Sequence, residues 1–145
     1  MTYVAGAKAP WHLWLVGVIA LAWNGFGGFD YIMTQTENAG YLAAFTPEQR
    51  AYFTDLPIVI EVAWAMGVWS AVVASILLLL RIRWAFHAFT ISLAAIVVSF
   101  IYGQFFTNAA EIMGPQGVYM PLVVAAIGAF LTWYTWSICQ KGVLR

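Results

Sequence analysis

The sequence predicts an all-α integral membrane protein, a four-helix bundle that forms one transmembrane domain over residues 1–145. Hydrophobic residues make up 63% of the chain and charged residues only 8%, whereas a soluble domain carries about 25% charged residues. The apolar residues form four continuous runs. The length of each run is near the roughly 20 residues that a helix needs to cross a bilayer. Because the polar links between the runs are short, four crossings use nearly the whole sequence.

The four runs predict spans over residues 11–31, 58–80, 84–106 and 118–138. Each is expected to be a helix, because lipid cannot satisfy the hydrogen bonds of an irregular backbone. Strands of a transmembrane barrel would alternate apolar and polar residues, and these runs do not. Only Arg81, Ile82 and Arg83 join the second span to the third, so these two spans are expected to form a tight hairpin.

The basic residues fall almost entirely on one side of the predicted spans. Five of the six are on that side: Lys8, Arg81, Arg83, Lys141 and Arg145. The other side holds Arg50 and the acidic residues. Cytoplasmic segments are enriched in lysine and arginine, so both chain termini are predicted to be cytoplasmic.

The link between the first two spans, residues 32–57, contains the start signal of a short helix. Thr46 is a good N-cap, Pro47 suits the first helical position, and Gln49 can return a hydrogen bond from the third. Aromatic neighbours, Phe45 among them, would hold this helix along the membrane surface. The alternative is a lid over a binding site.

Small residues at four-residue spacing predict where the spans touch, because membrane helices associate by close packing. The stripes are Ala20, Asn24 and Gly28 in the first span, Ala63, Gly67, Ala71 and Ser75 in the second, Ala95, Ser99 and Gly103 in the third, and Ala125 and Ala129 in the fourth. They favour a tight bundle, and one stripe suits a subunit interface equally well.

Four polar residues are the candidate ligands for a small solute or a cation: Asn24, Asp30, Glu61 and Gln104. Ionisable groups within spans are functional candidates, and the first three are predicted to line one cavity that opens outward. Asn24 and Asp30 lie roughly 120° apart on a regular helix, so this cavity requires a helix break at residues 25–28. Alternatively, Asn24 bonds a neighbouring helix and the acids reach water. Gln35, Gln104 and Asn108 would line an outer vestibule, or they form hydrogen bonds between helices.

Several classes of function are not indicated. The net charge is zero, which gives nucleic acid no basic surface to bind. No catalytic motif is present, so no enzyme activity is predicted. Cys139 is the only cysteine and His12 and His87 the only histidines. We therefore predict no metal site and no cofactor, and we expect both histidines to be interfacial.

Two segments resemble a known family. Residues 23–36 (WNGFGGFDYIMTQT) and 41–49 (YLAAFTPEQ), together with the GVLR ending, resemble short, largely uncharacterised four-span inner-membrane proteins of proteobacteria. Members are sometimes labelled as sugar-transporter-like. The resemblance implies a bacterial inner-membrane location, and it implies nothing about the substrate.

Two functions are consistent with these observations. One is an oligomeric transporter or channel for a small solute or cation, favoured by the polar residues near the span ends. The other is a non-catalytic accessory subunit of a larger membrane complex, favoured by the scarcity of polar residues inside the spans. The expected partners are the lipid bilayer and either further copies of the chain or a larger complex.

Overall fold

The computed structural model describes residues 6–145, and this part of the chain contains helices and no strands. Four helices are long and apolar enough to cross a membrane: α1 (Trp11–Gln35), α4 (Ile58–Leu79), α5 (Trp84–Phe105) and α7 (Gln116–Gln140). Three short helices lie in the links: α2 (Ala39–Leu42), α3 (Pro47–Thr54) and α6 (Ala109–Met113). The predicted all-α, four-span fold is confirmed.

The span boundaries differ from the predicted ones mainly where polar residues continue a helix. α1 extends to Gln35 rather than to residue 31, because its last turn remains helical and Thr34 is buried although the apolar run has ended. α7 begins at Gln116 and ends at Gln140, so it exceeds the predicted run at both ends. Hydropathy indicates where an apolar run begins and ends, whereas main-chain hydrogen bonding determines where the helix begins and ends.

The α4–α5 hairpin forms the centre of the bundle. α1 packs on α4, and α7 packs on α5. The main core joins the ends of the four long helices near residues 10, 80 and 140, and it includes Leu13, Leu78, Phe89 and Ile138, each at most 2% exposed. We call this the basic end, because Lys8, Arg81, Arg83, Lys141 and Arg145 lie there. The opposite end, with α2, α3 and α6, is the acidic end.

The small-residue stripe of α4 packs as predicted. The Gly67 α-carbon faces α5, where an added Cβ would lie 3.6 Å from the Cβ of Ala95. The Ser92 hydroxyl of α5 donates a 2.6 Å hydrogen bond to the Gly67 carbonyl. The prediction for the fourth span is wrong at Ala129, which is exposed. Its neighbour Gly128 faces α5 instead, because one residue turns a helix by about 100°.

The C-terminal segment closes the basic end, which the sequence did not predict. After α7 the chain turns back at Gly142, whose φ is +67°, and Val143 and Leu144 become buried. Arg145 then exchanges main-chain hydrogen bonds with the α4–α5 link, donating to the Arg81 carbonyl and accepting from the Arg83 N–H, both at 2.8 Å.

Arg81 holds this closure together. Its guanidinium donates from Nε and Nη2 to the Val143 carbonyl at 3.2 and 3.0 Å, and Nη2 also donates to the Ala7 carbonyl at 2.8 Å. Its φ is +60°, a left-handed conformation that disfavours side chains. The same residue therefore turns the hairpin and ties both terminal segments to it.

At the acidic end, α3 begins as the sequence predicts. The Thr46 side chain accepts from the Gln49 N–H, and the Gln49 side chain accepts from the Thr46 N–H, with Pro47 in the first turn. The helix also lies across the ends of the spans, since the Phe53 ring contacts Trp64 of α4 with centroids 6.1 Å apart. α2 and α6 were not predicted.

Candidate solute site at the acidic end

An open cavity of about 300 Å³ lies at the acidic end between α3, the end of α5 and the start of α6. Its polar and aromatic lining consists of Tyr52, Asp55, Tyr102, Phe106, Thr107 and Asn108. This volume is at the lower end of the range of ligand sites, roughly 300–1,000 Å³. The cavity therefore fits a small molecule or ion.

α3 forms one wall of the cavity and is fixed at two points. Gln49, besides completing the N-cap, donates from Nε2 to the Ile112 carbonyl of α6 at 3.2 Å. The Tyr52 hydroxyl lies over Gly103 of α5, where an added Cβ would be 3.2 Å away. Asp55 ends the helix and is exposed. α3 thus forms a fixed wall of the cavity.

The opposite wall comes from the end of α5 and the turn into α6. The rings of Tyr102 and Phe106 stack one helical turn apart, with centroids 6.2 Å apart and an interplanar angle of 10°. The Thr107 hydroxyl donates to the Gly103 carbonyl at 2.6 Å and accepts from the Ala109 N–H at 3.2 Å. Asn108 is the N-cap residue of α6, and its side chain makes no capping hydrogen bond. No capping interaction therefore competes with a ligand for its amide group.

The acidic end carries mostly negative charge. All six acidic residues of the chain lie at the acidic end or in the adjoining halves of the spans: Asp30, Glu37, Glu48, Asp55, Glu61 and Glu111. The one basic residue at this end is Arg50, whose Nε donates to the Leu42 carbonyl of α2 at 2.9 Å. A carboxylate beside aromatic faces, within a negative region, is an environment that attracts cations.

Asn24 forms a contact between helices. Its Nδ2 donates to the Ser75 hydroxyl of α4 at 2.9 Å, and Ser75 donates in turn to the Ala71 carbonyl at 2.8 Å. α1 is continuous through residues 25–28, so the predicted helix break is absent. Of the three glycines in this stretch only Gly28 packs on α4, where an added Cβ would lie 3.4 Å from the Trp69 ring.

Asp30 and Glu61 are not brought together either. Across the antiparallel α1–α4 interface, Asn24 pairs with Ser75, Gly28 with Trp69 and Tyr31 with Trp64. At this register, Asp30 lies further from the acidic end than Glu61 by about four to eight residues. This is roughly 6–12 Å along the helix axis at a rise of about 1.5 Å per residue. Asp30 accepts a short hydrogen bond from the Tyr41 hydroxyl of α2. The helix break that a shared cavity of Asn24, Asp30 and Glu61 required is absent, and the roles of the three residues as ligands stay predictions.

Gln104 also supports the fold at the acidic end. Its Nε2 donates to the Gly117 carbonyl of α7 at 2.8 Å, and it does not line the cavity. Asn108, predicted beside it as a vestibule residue, does line the cavity. Gln104 thus joins α5 to α7, and of the three predicted vestibule residues only Asn108 lines this cavity, whereas Gln35 and Gln104 do not.

The histidines have separate environments. His12 Nδ1 lies 2.5 Å from the Tyr134 hydroxyl, which connects α1 to α7, whereas His87 is exposed beside Trp84. Within residues 6–145, no three His, Cys, Asp or Glu side chains are arranged to hold a metal ion.

The sequence contained a weak signal for the residues that it missed. Tyr52 and Asp55 follow the recognisable start of α3, and Tyr102 and Phe106 have the four-residue spacing of one helix face. Each pattern is visible locally. What brings them together is the folding of two links over the end of α5, which no local pattern encodes.

The Tyr41–Asp30 contact makes the attachment of α2 sensitive to alkaline pH. Burial, then the hydrogen bond to Asp30, then the charge of that carboxylate raise the pKa of Tyr41 from 10.0 to about 12. A raised phenol pKa stabilises the fold fully below pH 10, and this stabilisation is lost as the pH rises to about 12. We expect the free energy of unfolding of the wild type to fall more steeply over this interval than that of Tyr41→Phe. Equal slopes would contradict the contact.

Comparisons with protein-family models, with curated proteins and with solved structures find no match for this chain. The chemistry of the acidic-end cavity is thus the main indication of function.

Proposed function

We propose that this four-span membrane protein binds small organic cations at the acidic-end cavity, as the outer site of an oligomeric transporter or channel. The observation that carries the proposal is the composition of one cavity of about 300 Å³, in which the Asp55 carboxylate lies with the aromatic residues Tyr52, Tyr102 and Phe106. The role is one of binding and passage, and no catalytic step is proposed.

The cavity lining suits an ammonium or guanidinium group better than an anion or an apolar molecule. A carboxylate attracts a cation directly, and a cation over an aromatic face gains about 0.5–2 kcal/mol more, depending on desolvation. The Asn108 amide oxygen can accept a hydrogen bond from an N–H of the ligand. An anion would meet Asp55 and the surrounding acids, which disfavour it.

The oligomeric part of the proposal follows from the packing at the basic end. Leu13, Leu78, Phe89 and Ile138 fill the centre of the bundle there, each at most 2% exposed. A solute that enters at the acidic end therefore meets a packed apolar core within one copy. Passage would use an interface between copies, for which the exposed apolar faces of the spans provide area.

The same packed core also supports the second candidate, a non-catalytic accessory subunit of a larger membrane complex. Purification from the native membrane under mild detergent separates the two. Recovery as a homo-oligomer supports the transporter or channel, whereas a constant set of other proteins in fixed ratio supports the subunit.

For location, we propose the bacterial inner membrane, with the basic end in the cytoplasm. The support comes from the clustering of five of the six basic residues at that end, together with the positive-inside rule and the resemblance to inner-membrane proteins. A reporter joined after Gln49 should be active outside the cytoplasm, and one joined after Arg145 inside it. The opposite pattern would reverse the orientation.

Thermal protection of the purified protein tests the ligand class. A small quaternary ammonium ion at 100 times its Kd should stabilise the wild type by about 2.7 kcal/mol. Asp55→Asn should lose most of this protection, because the neutral amide keeps the shape and removes the charge. Glu48→Gln is the matched control, since it removes one exposed acid from the same helix outside the cavity, and it should retain the protection.

Two outcomes would contradict this assignment of ligand class. Equal protection of the wild type and Asp55→Asn would show that Asp55 does not bind the ion. Protection by a neutral polyol and not by ammonium would assign the cavity to a hydrogen-bonding solute.

A further inference from the structure

A second cavity, about 170 Å³ in volume, lies at the basic end and is lined by Leu80, Arg81, Ile82 and Arg145. Two guanidinium-bearing residues and two aliphatic residues thus share one small space. The position of Arg145 in this cavity is fixed by its two main-chain hydrogen bonds to the α4–α5 link, each 2.8 Å. The cavity is therefore part of the folded closure of this end.

Within residues 6–145, no Asp or Glu side chain lies at this end of the bundle. The first acid that follows Trp11 along α1 is Asp30, 19 residues on, or about 28 Å away at a rise of about 1.5 Å per residue. In α4, Glu61 lies a similar distance from Leu79. The partners of the Arg81 guanidinium are the carbonyls of Val143 and Ala7, which are neutral acceptors and leave its full charge in place.

Arg145 lines this cavity, and its guanidinium lies beside Gly6 of the N-terminal segment. A Cβ added at Gly6 would lie 2.8 Å from Arg145 Nε and 3.2 Å from its Nη2, so the group rests against the backbone of the N-terminal segment. Planar guanidinium groups bind phosphate oxygens through paired N–H donors. Arg145 can supply such a pair, whereas Arg81, whose Nε and Nη2 already donate to main-chain carbonyls, adds its charge and the N–H groups of Nη1. A phosphate group is the matching ligand.

The aliphatic part of the lining indicates where the phosphate comes from. Leu80 follows the last residue of α4 and is 63% exposed, so it lies at the boundary between the apolar span and the polar link. A lipid whose headgroup phosphate occupies the cavity can continue along Leu80 with its acyl chains. A volume of about 170 Å³ suits the phosphate group and leaves the rest of the lipid outside.

We propose that this cavity binds the phosphate group of an anionic lipid headgroup, with Arg81 and Arg145 as its ligands. The proposal is independent of the function proposed for the acidic end. It places one bound lipid where the α4–α5 link, the N-terminal segment and the C-terminal segment meet.

Lipid titration of the full chain in neutral detergent, read by native mass spectrometry, tests the proposal. Phosphatidylglycerol should be retained, and phosphatidylcholine, which has the same phosphate but no net charge, should not. Arg145→Gln should weaken the retention of phosphatidylglycerol about tenfold, the equivalent of one charged hydrogen bond. Lys141→Gln removes the same charge from the same end outside the cavity, so it measures diffuse attraction and should have a much smaller effect.

Three results would overturn the proposal. Equal losses in Arg145→Gln and Lys141→Gln would show diffuse attraction only. Equal retention of the two lipids would remove the charge requirement. Competition by inorganic phosphate at the lipid's own concentration would assign the cavity to a soluble phosphate. Should Arg145→Gln not fold, Arg145→Lys keeps the charge and loses the paired donors, and unchanged retention in that variant would also overturn the proposal.

Discussion

Arg81→Ala is expected to lower the free energy of unfolding by about 3 kcal/mol and to release the C-terminal segment from the bundle. The guanidinium donates to the carbonyls of Val143 and Ala7, and hydrogen bonds from charged groups contribute about 1.5–3 kcal/mol each. Their loss also leaves the Val143 carbonyl without its charged donor. Reversible unfolding in mixed micelles measures the free energy, and hydrogen exchange at Val143 and Leu144 measures the release.

Two further variants separate the causes of this loss. Arg83→Ala removes an exposed arginine from the same link and should be nearly neutral. Arg81→Gly also loses the guanidinium but relieves the left-handed backbone, whose φ is +60°, so it should be about 1 kcal/mol more stable than Arg81→Ala. Equal effects of Arg81→Ala and Arg83→Ala would mean that the closure contributes no stability.

Gly117→Ala is expected to displace α6 and to disrupt the acidic-end cavity. A Cβ at Gly117 would lie 2.6 Å from the Ala109 carbonyl oxygen and 2.9 Å from the Met113 Cβ. A backbone carbonyl cannot rotate away as a side chain can, so α6 must move and carry Asn108 with it. Overpacking of this kind costs about 1–3 kcal/mol, and the ammonium protection should fall although Asp55 is unchanged.

Gly25→Ala is the matched control for that substitution. Nothing lies within 4 Å of a Cβ at Gly25, and alanine favours a helix by about 1 kcal/mol over glycine. This variant should be as stable as the wild type or more stable, with ligand protection intact. Unchanged stability and protection in Gly117→Ala would show that α6 does not pack on α7 as described.

Features that depend on composition or on neighbouring residues could be predicted from the sequence. The spans follow from runs of apolar residues, and the start of α3 follows from Thr46, Pro47 and Gln49, because a capping box is a local interaction. The contact at Gly67 follows from spacing along one helix. In each case the physical cause lies within a single element.

Features that depend on the relation between elements could not be predicted. Asn24, Asp30 and Glu61 were expected to converge, but helix continuity at residues 25–28 and the α1–α4 register are set by packing between helices. The stripe at Ala129 differed from the observed contact at Gly128 by a single residue, or about 100° of rotation. The rotation of a helix about its own axis relative to its neighbours cannot be predicted from a short stretch of sequence.

The two ends of the bundle show the same limit. The left-handed conformation of Arg81 is local, since it ends α4 with hydrogen bonds from the Arg81 and Ile82 N–H groups to the Leu78 and Leu77 carbonyls. The partners of the Arg81 side chain and carbonyl, Val143 and Arg145, lie some 60 residues later. The cavity at the acidic end exists because α3 and α6 meet over α5 through Gln49 and Ile112. Long-range partners of this kind decide where the site forms.

Ligand protection of a single cysteine tests most directly whether the acidic-end cavity binds an organic cation. With Cys139→Ser as background, Asn108→Cys places a thiol in the cavity without removing a capping bond. Ala43→Cys places one on an exposed position at the same end outside it. A small quaternary ammonium ion should slow maleimide labelling at position 108 and not at position 43, and the slowing should disappear in Asp55→Asn. Equal labelling rates at position 108 with and without the ion, at concentrations that protect the protein against heating, would contradict the site.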